Sequence, residues 1–315
     1  MKITKATRWR VFAGVWIQSL FTSATAYFSL FCIPLTTKFG WSDSDFALAY
    51  TIYMFTYCAV GFLGGSLAQK LSPRITIYLG LALFAGGWFL TGFASSIPQL
   101  YIFYGLLAGA GGGLIYPACL PTALKWFPDR SGSISGLVQA GASCGPFIMS
   151  PIAQRQIGQS AMTAALCVSI MTLANMCGRI GFGFIYDNLK GWNSLLLLMV
   201  INGASMLMLT QAKSLPFFIL CVVLVGFSFG GLLVVFAPMV RMIFGSKYYN
   251  SNYGLIFIGY GIGYGIGAFI GPKISASFYD STGVYTYGFV GSACLAVAAI
   301  VLILVAKKMY AKMSA

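Results

Sequence analysis

The chain has 315 residues, of which 59% are hydrophobic and only 8% are charged, and its mean hydropathy is +0.85. Ordinary soluble domains carry roughly 25% charged residues, so this composition excludes a soluble enzyme, a disordered regulator and a disulfide-rich secreted domain. The net charge of +14 comes from 19 Lys and Arg against 5 Asp, with no Glu and no His. It favours membrane orientation over nucleic-acid binding, because basic residues collect on the cytoplasmic side of membranes.

Long apolar runs predict transmembrane helices, since a helix of about 20 apolar residues crosses a bilayer. A membrane β-barrel would instead show alternating strands of about ten residues. In chain order we predict ten spans: 11–34, 46–68, 75–95, 99–124, 132–153, 161–186, 193–212, 215–240, 253–272 and 284–306. Turn residues such as Ser72-Pro73 separate them. The predicted fold class is therefore all-α, a multi-pass transmembrane helix bundle.

The basic residues orient these spans. With the N-terminus inside, 14 Lys and Arg fall on the inner side, 4 fall on the outer side, and Arg179 lies within a span. Such an excess is typical of cytoplasmic loops. It predicts an integral protein of the plasma or inner membrane, surrounded by lipid, with both termini in the cytoplasm.

Cofactors and catalytic machinery are not expected. Without His there is no histidine metal site or proton relay. The eight Cys are scattered singly and show no metal-binding spacing. The sequence contains no acid–base pair or nucleophile constellation, so we predict that the protein is not an enzyme.

Two pairs of similar segments indicate an internal repeat. The segment that begins at Gly183 closes the sixth span as the segment that begins at Gly65, 118 residues earlier, closes the second, and residues 226–247 resemble 109–130 at a distance of 117. Many transporters are built from such repeats. The second copy comes four spans later instead of six, which predicts a twelve-helix plan shortened by two helices. We expect half bundles at 1–153 and 154–315, five spans each, with 132–160 as a fused junction.

These motifs resemble the major facilitator superfamily and, within it, the oxalate–formate antiporter family. Residues 64–74 resemble the loop signature G-x-L-x-D-(R/K)-x-G-x-(R/K), with Gln69 in place of the acid, while the second copy keeps the acid as Asp187. Residues 126–132, Trp-Phe-Pro-Asp-Arg-Ser-Gly, resemble the family loop W-F-P-(D/E)-(K/R)-x-G. The resemblance implies alternating-access transport of small carboxylates, with binding near the midplane between the two halves.

Arg179 is the candidate substrate anchor. It lies eight residues before Asp187, about 12 Å along a helix that rises 1.5 Å per residue. An ionisable residue inside a span marks a functional site, and a planar guanidinium can hold a carboxylate through two donors. The resemblance implies that this arginine grips the substrate carboxylate. The alternative is that its side chain extends to the inner membrane interface.

The acidic residues favour an anionic substrate. All five Asp lie in loops or at span ends, so no buried carboxylate is available to pair with a cation or to carry a proton. This predicts exchange or facilitated diffusion of an anion. The family's second cation, a lysine in the eleventh helix, aligns with Tyr260, which favours a monocarboxylate with a hydroxyl or keto group over oxalate. The resemblance also places Tyr116 and Phe229 in the substrate site.

Two further sets of residues have expected mechanical roles. One set consists of glycines at every fourth position, which predicts a close-packed helix face: Gly259, Gly263, Gly267 and Gly271. The resemblance implies that this helix rocks against a neighbouring helix during transport, and the alternative is that it packs there without moving. The resemblance implies that the other set forms cytoplasmic loop ion pairs that latch one conformation, with topological charge as the alternative: Lys70, Arg74, Asp129, Arg130, Asp187 and Lys190. Gln69 belongs to the same loop motif and weakens the first latch, because it stands in place of the acid.

Two classes of function remain open at this point. The first is a secondary transporter of small organic anions, with monocarboxylates as the expected substrates. The second is a truncated, non-transporting paralogue that serves as a carboxylate sensor or assembly subunit. Two missing helices would leave a gap in the pore wall, which self-association could fill.

Overall fold

A computed structural model describes residues 5–23, 25, 28, 31–143, 162–212, 214–256, 258–260, 263, 281 and 286–314. Within these ranges the chain forms helices and short connections and no strand. The predicted all-α class is therefore confirmed.

The first part of the chain forms five helices, with bounds α1 Lys5–Thr22, α2 Cys32–Phe39, α3 Asp43–Lys70, α4 Pro73–Thr91 and α5 Ile97–Trp126. The Ser42 hydroxyl caps α3 by accepting the Asp45 N–H at 3.1 Å. The Ser72 hydroxyl caps α4 in the same way, accepting from Ile75 at 3.3 Å. Serine oxygens satisfy amide groups that have no partner inside the helix, so the predicted turn at Ser72 becomes a helix start.

The described residues of the second part of the chain form six helices, with bounds α6 131–143, α7 Met162–Leu189, α8 Gly191–Leu209, α9 Leu215–Phe244, α10 249–260 except 257, and α11 Thr286–Ser314. Only Lys190 separates α7 from α8, and it adopts a left-handed φ of 55°. This sharp connection returns the chain directly into the next helix.

Among the residues that the structure describes, six helical stretches are long and apolar enough to cross a membrane: Ser44–Lys70, Pro73–Thr91, Ile97–Trp126, Gly191–Leu209, Leu215–Phe244 and Thr286–Lys312. They form a multi-pass helical membrane protein, as predicted. The count of ten spans stays a prediction, because much of the junction at 132–160 and of the span at 253–272 lies outside the described residues. The predicted first span, 11–34, contains the end of α1 and the start of α2.

Contacts group the chain into two compact units, each made of separate segments. Unit 1 comprises Met1–Val15, Ala24–Trp126 and Phe244–Phe269. Unit 2 comprises Trp16–Ser23, Phe127–Ile243 and Ile270–Ala315. The predicted half bundles group residues by repeat and not by contact, and that division stays a prediction.

In unit 1, α3 and α5 pack with their backbones in contact. A Cβ atom placed on Gly109 would lie 2.9 Å from the Tyr53 carbonyl oxygen. A Cβ atom on Gly113 would lie 2.5 Å from the Tyr57 carbonyl oxygen and 3.0 Å from the Gly61 nitrogen. Small residues permit this close approach, and the two glycines on α5 thus form a socket for two turns of α3.

In unit 2, α7 and α9 pack in the same manner. A Cβ atom on Gly226 would lie 2.8 Å from the Met171 carbonyl oxygen. A Cβ atom on Gly230 would overlap the Asn175 carbonyl oxygen and lie 3.1 Å from the Arg179 nitrogen. Here too, two glycines form a socket for two turns of the neighbouring helix.

The two sockets are copies of each other. Each residue of the second follows its counterpart by 117 or 118 positions: Gly226 after Gly109, Gly230 after Gly113, Met171 after Tyr53, Asn175 after Tyr57 and Arg179 after Gly61. Matching backbone contacts at matching intervals confirm the internal repeat that the two sequence motifs predict.

A second pair of helix–helix contacts, which we call junctions, follows the same repeat. At the α3–α10 junction in unit 1, a Cβ atom on Gly65 would overlap the Asn250 carbonyl oxygen. At the α6–α7 junction in unit 2, a Cβ atom on Gly183 would lie 2.7 Å from the Gly132 carbonyl oxygen, and one on Gly136 would overlap the Arg179 carbonyl oxygen. In unit 1 the α3–α10 junction, and in unit 2 the α6–α7 junction, therefore depends on a glycine whose backbone touches that of the facing helix.

Candidate functional site

Arg179 lies in the middle of α7, and two neutral acceptors hold its guanidinium. Its Nε donates to Asn175 Oδ1 at 2.9 Å, and its Nη1 donates to the Gln139 carbonyl oxygen of α6 at 2.7 Å. Gln139 lies seven residues beyond Gly132, and Arg179 lies eight residues before Asp187, which contacts Gly132. The guanidinium therefore crosses to α6 at the depth of its own backbone instead of extending along α7.

A chain of polar side chains surrounds this contact in unit 2. Ser143 donates to Asn175 Oδ1 at 3.2 Å, Gln139 donates to Ser135 at 3.1 Å, and Ser135 donates to the Val234 carbonyl oxygen at 3.1 Å. The Gln139 side chain is only 1% exposed, and its Oε1 has no partner among the described residues. Buried polar groups are normally fully hydrogen-bonded, so this oxygen is an acceptor that a water or a ligand hydroxyl can satisfy.

Glycines fix the backbone on both sides of Arg179. A Cβ atom on Gly136 of α6 would overlap the Arg179 carbonyl oxygen, and one on Gly230 of α9 would overlap that of Asn175. A Cβ atom on Gly178 would overlap the Phe227 carbonyl oxygen. Because α6 and α9 both touch this turn of α7, the direction in which the Arg179 side chain leaves the helix is set by backbone packing.

The predicted residues Tyr116 and Tyr260 belong to an aromatic cluster in unit 1. The ring centroids of Tyr116 and Tyr253 are 6.5 Å apart, with 22° between the ring planes. The phenol of Tyr57 lies close enough to those of Tyr116 and Tyr260 to interact with them electrostatically. Tyr57 and Tyr253 are cluster members that the sequence analysis missed.

More rings are stacked deeper in unit 1. Phe28 stacks on Tyr104 with 3.7 Å between ring centroids, and Tyr104 stacks on Tyr53 at 4.9 Å. Both Phe28 and Tyr104 are buried. Stacked aromatic pairs contribute about 0.5–1.5 kcal/mol beyond the burial of their area, so this part of the cluster stabilises the unit.

The predicted substrate residues are divided between the units. Unit 2 contains Arg179 and Phe229, and Phe229 lies on α9 with 42% of its surface exposed. Unit 1 contains Tyr116 and Tyr260. Their joint role as a substrate site stays a prediction.

Some of the missed residues left a signal in the sequence. Asn175 precedes Arg179 by four positions, the spacing of side-chain neighbours on a helix. Tyr57 is the repeat counterpart of Asn175, 118 positions earlier. The Gln139 carbonyl gives no such signal, because only the packing of α6 on α7 brings it to the guanidinium.

Asp187 has the best-defined contacts of the predicted loop motif. Its carboxylate accepts the backbone N–H groups of Gly132 and Ser133, both at 2.8 Å, and also the Ser133 hydroxyl. These amides open α6, where the first N–H groups have no partner within the helix and the helix dipole favours negative charge. The Asp187 carboxylate is therefore bound at a helix N-terminus, which offers directed donors.

Gln69 occupies the equivalent place in unit 1. Its side-chain oxygen accepts from the Ser251 hydroxyl at 2.5 Å, and its Nε2 donates to the Lys247 carbonyl oxygen at 3.2 Å. Ser251 follows Ser133 by 118 positions, so the two junctions use the same contact with a neutral group in one and a charged group in the other.

The ion-pair latch expected from the loop motif stays a prediction. Its four basic members are Lys70, Arg74, Arg130 and Lys190. All four are exposed, and water screens exposed charges so well that such pairs contribute little. Asp129 lies in the turn before α6.

The close-packed glycine face predicted for α10 stays a prediction. No described atom lies within 4 Å of a Cβ atom placed on Gly259 or Gly263. Gly267 and Gly271 lie outside the described residues. The close approach of α10 occurs earlier, at Gly254, whose Cβ atom would lie 3.1 Å from the Phe62 carbonyl oxygen.

Comparison with known proteins places these features in a family. A sequence profile of the Major Facilitator Superfamily matches residues 15–155 and 149–312. The chain is 28% identical over 229 residues to the oxalate:formate antiporter of Oxalobacter formigenes, covering 70% of this chain and 52% of that protein. It is 31% identical over 172 residues to monocarboxylate transporter 12 of Mus musculus, covering 54% and 35%.

Other comparisons extend further along the chain. The uncharacterized MFS-type transporter YhjX of Escherichia coli is 22% identical over 345 residues, covering 81% of this chain and 85% of that protein. The chain spans about half the length of the antiporter, of which it covers 52%, and about a third of the monocarboxylate transporter, of which it covers 35%.

Solved structures show the same fold. The E. coli fucose:proton symporter FucP aligns with a TM-score of 0.70, and FucP in the outward conformation aligns with a TM-score of 0.73. Each is 14% identical and covers 93% of this chain and 97% of that chain. At this identity the likeness shows the fold alone.

Proposed function

The chain belongs to the Major Facilitator Superfamily, and we propose that it is a secondary transporter that moves small organic anions, above all monocarboxylates, across a membrane by alternating access. The transport mode that fits is antiport or facilitated diffusion. The observation that carries this proposal is Arg179, a cation in the middle of α7 whose Nε and Nη1 donate to the neutral acceptors Asn175 and Gln139.

The internal repeat supports a functional role for Arg179. Its counterpart is Gly61, which occupies the same backbone socket in unit 1. The socket therefore packs without an arginine, and a charge within a membrane span costs free energy. A residue that packing does not require and that lowers stability is best explained by the ligand it binds.

The charges of the chain support an anion as that ligand. The sequence has no Glu or His, and the Asp187 carboxylate is bound to the N-terminus of α6. A guanidinium can form two parallel hydrogen bonds with one carboxylate. The names of two relatives, the oxalate:formate antiporter and monocarboxylate transporter 12, refer to carboxylates.

The aromatic cluster supports a monocarboxylate in preference to oxalate. Tyr260 stands where a second cation would serve a dicarboxylate, and it lies near Tyr57. A phenol can donate to, or accept from, a hydroxyl or keto group. Pyruvate combines one carboxylate with one keto group and is the probe that fits this chemistry.

The alternative function is a truncated paralogue that binds a carboxylate without transporting it, as a sensor or an assembly subunit. It is favoured by the spacing of the internal repeat, whose second copy comes four spans after the first instead of six. Self-association would then complete the pore wall. Binding of pyruvate without counterflow into proteoliposomes would support this alternative.

Calorimetry of pyruvate binding to the purified protein tests the proposal. We expect Arg179→Gln nearly to abolish binding, since a charged hydrogen bond contributes roughly 1.5–3 kcal/mol and about 1.4 kcal/mol is tenfold in affinity. Arg179→Lys should weaken binding markedly, because the charge stays but the two-donor geometry is lost. The control Lys70→Gln, at the exposed C-terminal end of α3, should bind as wild type does. Equal affinity in wild type and Arg179→Gln would remove Arg179 from the site.

We further propose that both termini lie in the cytoplasm and that the host membrane is the plasma or inner membrane. The support is the split of 14 inner to 4 outer basic residues when ten spans alternate. A reporter enzyme that is active only in the cytoplasm should show activity when it is fused after Ala315. Activity only of a reporter that requires the outer side would contradict this topology.

A further inference from the structure

We propose that Asn175 is the positioning residue of the anion site: its neutral carboxamide holds the Arg179 guanidinium towards α6 without cancelling the positive charge. The inference rests on the proposed function, in which Arg179 binds the substrate carboxylate. It adds that Asn175, by being neutral, makes the site bind anions.

The contacts of Asn175 show how the carboxamide is fixed. Its Oδ1 accepts from Arg179 Nε at 2.9 Å, one helical turn along α7, and from the Ser143 hydroxyl of α6 at 3.2 Å. A carboxamide oxygen has two lone pairs, and each of these donors takes one. Ser143 is buried. The oxygen is thus fixed by donors from two different helices.

The backbone around Asn175 is equally constrained. The Asn175 carbonyl fills the space that a side chain on Gly230 of α9 would need, and the Arg179 carbonyl does the same at Gly136 of α6. The backbone of α7 at these two residues therefore cannot move unless α6 or α9 moves with it. The guanidinium is therefore held at its side chain by Asn175 and at its backbone by two neighbouring helices.

The neutrality of the carboxamide decides what the guanidinium can attract. An aspartate has nearly the same shape but would form an ion pair with Arg179, and charges interact strongly inside a low-dielectric helix bundle. Such a pair carries no net charge and would offer a substrate anion little attraction. With asparagine, the guanidinium is oriented by a hydrogen bond and keeps its unit charge. The site therefore selects an anion.

Comparison with the other copy of the repeat indicates that Asn175 is needed to position Arg179 and not for folding. The counterpart of Asn175 in unit 1 is Tyr57, whose carbonyl packs on Gly113 as that of Asn175 packs on Gly230. Since the same socket accepts a phenol at this position, backbone packing does not require a carboxamide. Unit 1 has Gly61 where unit 2 has Arg179, so Tyr57 has no guanidinium to position. The asparagine is therefore required because of Arg179.

The decisive variant is Asn175→Asp, measured by calorimetry with pyruvate and by unfolding of the purified full-length chain. We expect pyruvate affinity to fall by at least about tenfold, equivalent to about 1.4 kcal/mol. Stability should equal or exceed that of wild type, because the new carboxylate still accepts from Arg179 and Ser143. A residue with a merely structural role would not lower affinity while stability is kept.

Two further variants complete the test. Asn188→Asp makes the same chemical change on the same helix, at an exposed residue whose side chain donates to the Phe184 carbonyl oxygen of its own helix, and should leave affinity within about twofold, under about 0.4 kcal/mol. Ser143→Ala removes one donor to Asn175 without adding charge and should weaken binding by about threefold, or about 0.65 kcal/mol.

The outcomes separate this inference from the proposed function. Wild-type affinity in Asn175→Asp, together with loss of binding in Arg179→Gln, would overturn the inference and leave the function standing. A joint loss of stability and affinity in Asn175→Asp would assign Asn175 to folding and also overturn it. Absence of pyruvate binding in wild type would overturn the proposed function and the inference with it.

Discussion

The two sockets share their backbone contacts but differ in the side chains they present. In unit 1, Gly113 packs against the turn that carries Tyr57 and Gly61. In unit 2, Gly230 packs against the turn that carries Asn175 and Arg179. A repeat of this kind preserves the places where helix backbones touch, since a Cβ atom there would overlap a neighbour. Side chains that point away from the contact can differ, and one copy has aromatic surroundings while the other holds a charge.

The two junctions differ in the same way. At the α6–α7 junction, the Asp187 carboxylate binds two amides and one hydroxyl at the start of α6. At the α3–α10 junction, Gln69 makes one hydrogen bond to Ser251 and one to Lys247. Charge-assisted hydrogen bonds are roughly twice as strong as neutral ones. The junction in unit 2 is therefore the stronger of the two.

The largest effect is expected where the two units are alike. Gly65→Ala and its repeat counterpart Gly183→Ala each place a methyl group against a backbone carbonyl of the facing helix, and each should lower the free energy of unfolding by about 3 kcal/mol, near the upper end for overpacking. Denaturant unfolding in detergent measures this. The control Gly86→Ala, with no atom within 4 Å of the new methyl, should be neutral or stabilising. Unequal losses at the two positions would show that the junctions do not share a backbone contact.

The next effect concerns the charge at the α6–α7 junction. Asp187→Asn should lower the free energy of unfolding by about 1.5–2 kcal/mol, because a charged acceptor is lost at a helix N-terminus. Hydrogen exchange of the Gly132 and Ser133 amides should become faster at the same time. Unchanged exchange at these two amides would show that the carboxylate does not hold the start of α6.

A comparable but smaller effect is expected from giving unit 1 a cation. Tyr260→Lys should shift the ratio of oxalate to pyruvate affinity towards oxalate by about tenfold, or about 1.4 kcal/mol, since a second ammonium can hold the second carboxylate. Competition binding to the purified protein measures the ratio. The control Tyr287→Lys adds the same charge at an exposed residue of α11 and should leave it unchanged. An unaltered ratio in Tyr260→Lys would place Tyr260 outside the substrate site.

The smallest effect is expected at the neutral junction. Gln69→Leu should lower the free energy of unfolding by about 0.5–1 kcal/mol, because it removes two neutral hydrogen bonds at an exposed position. The comparison with Asp187→Asn under identical conditions is the informative measurement. A larger loss for Gln69→Leu than for Asp187→Asn would reverse the order of strength inferred for the two junctions.

The sequence alone determined the class of the molecule and the position of its charge. Hydropathy and helix length are local properties, so apolar runs predict a helical membrane protein without knowledge of any contact. The repeat follows from motifs 117 and 118 positions apart. Arg179 stands out because a span with a single basic residue is unusual whatever surrounds it.

Tertiary structure decided which groups those residues meet. The Gln139 carbonyl reaches Arg179, and the amides of Gly132 and Ser133 reach Asp187, only because α6 packs on α7 in one particular rotation. The close approach of α10 to α3 at Gly254 has the same cause. Periodicity predicts that a helix has a face of small residues, but the rotation and crossing angle of helices depend on the whole set of neighbours, which no single segment specifies.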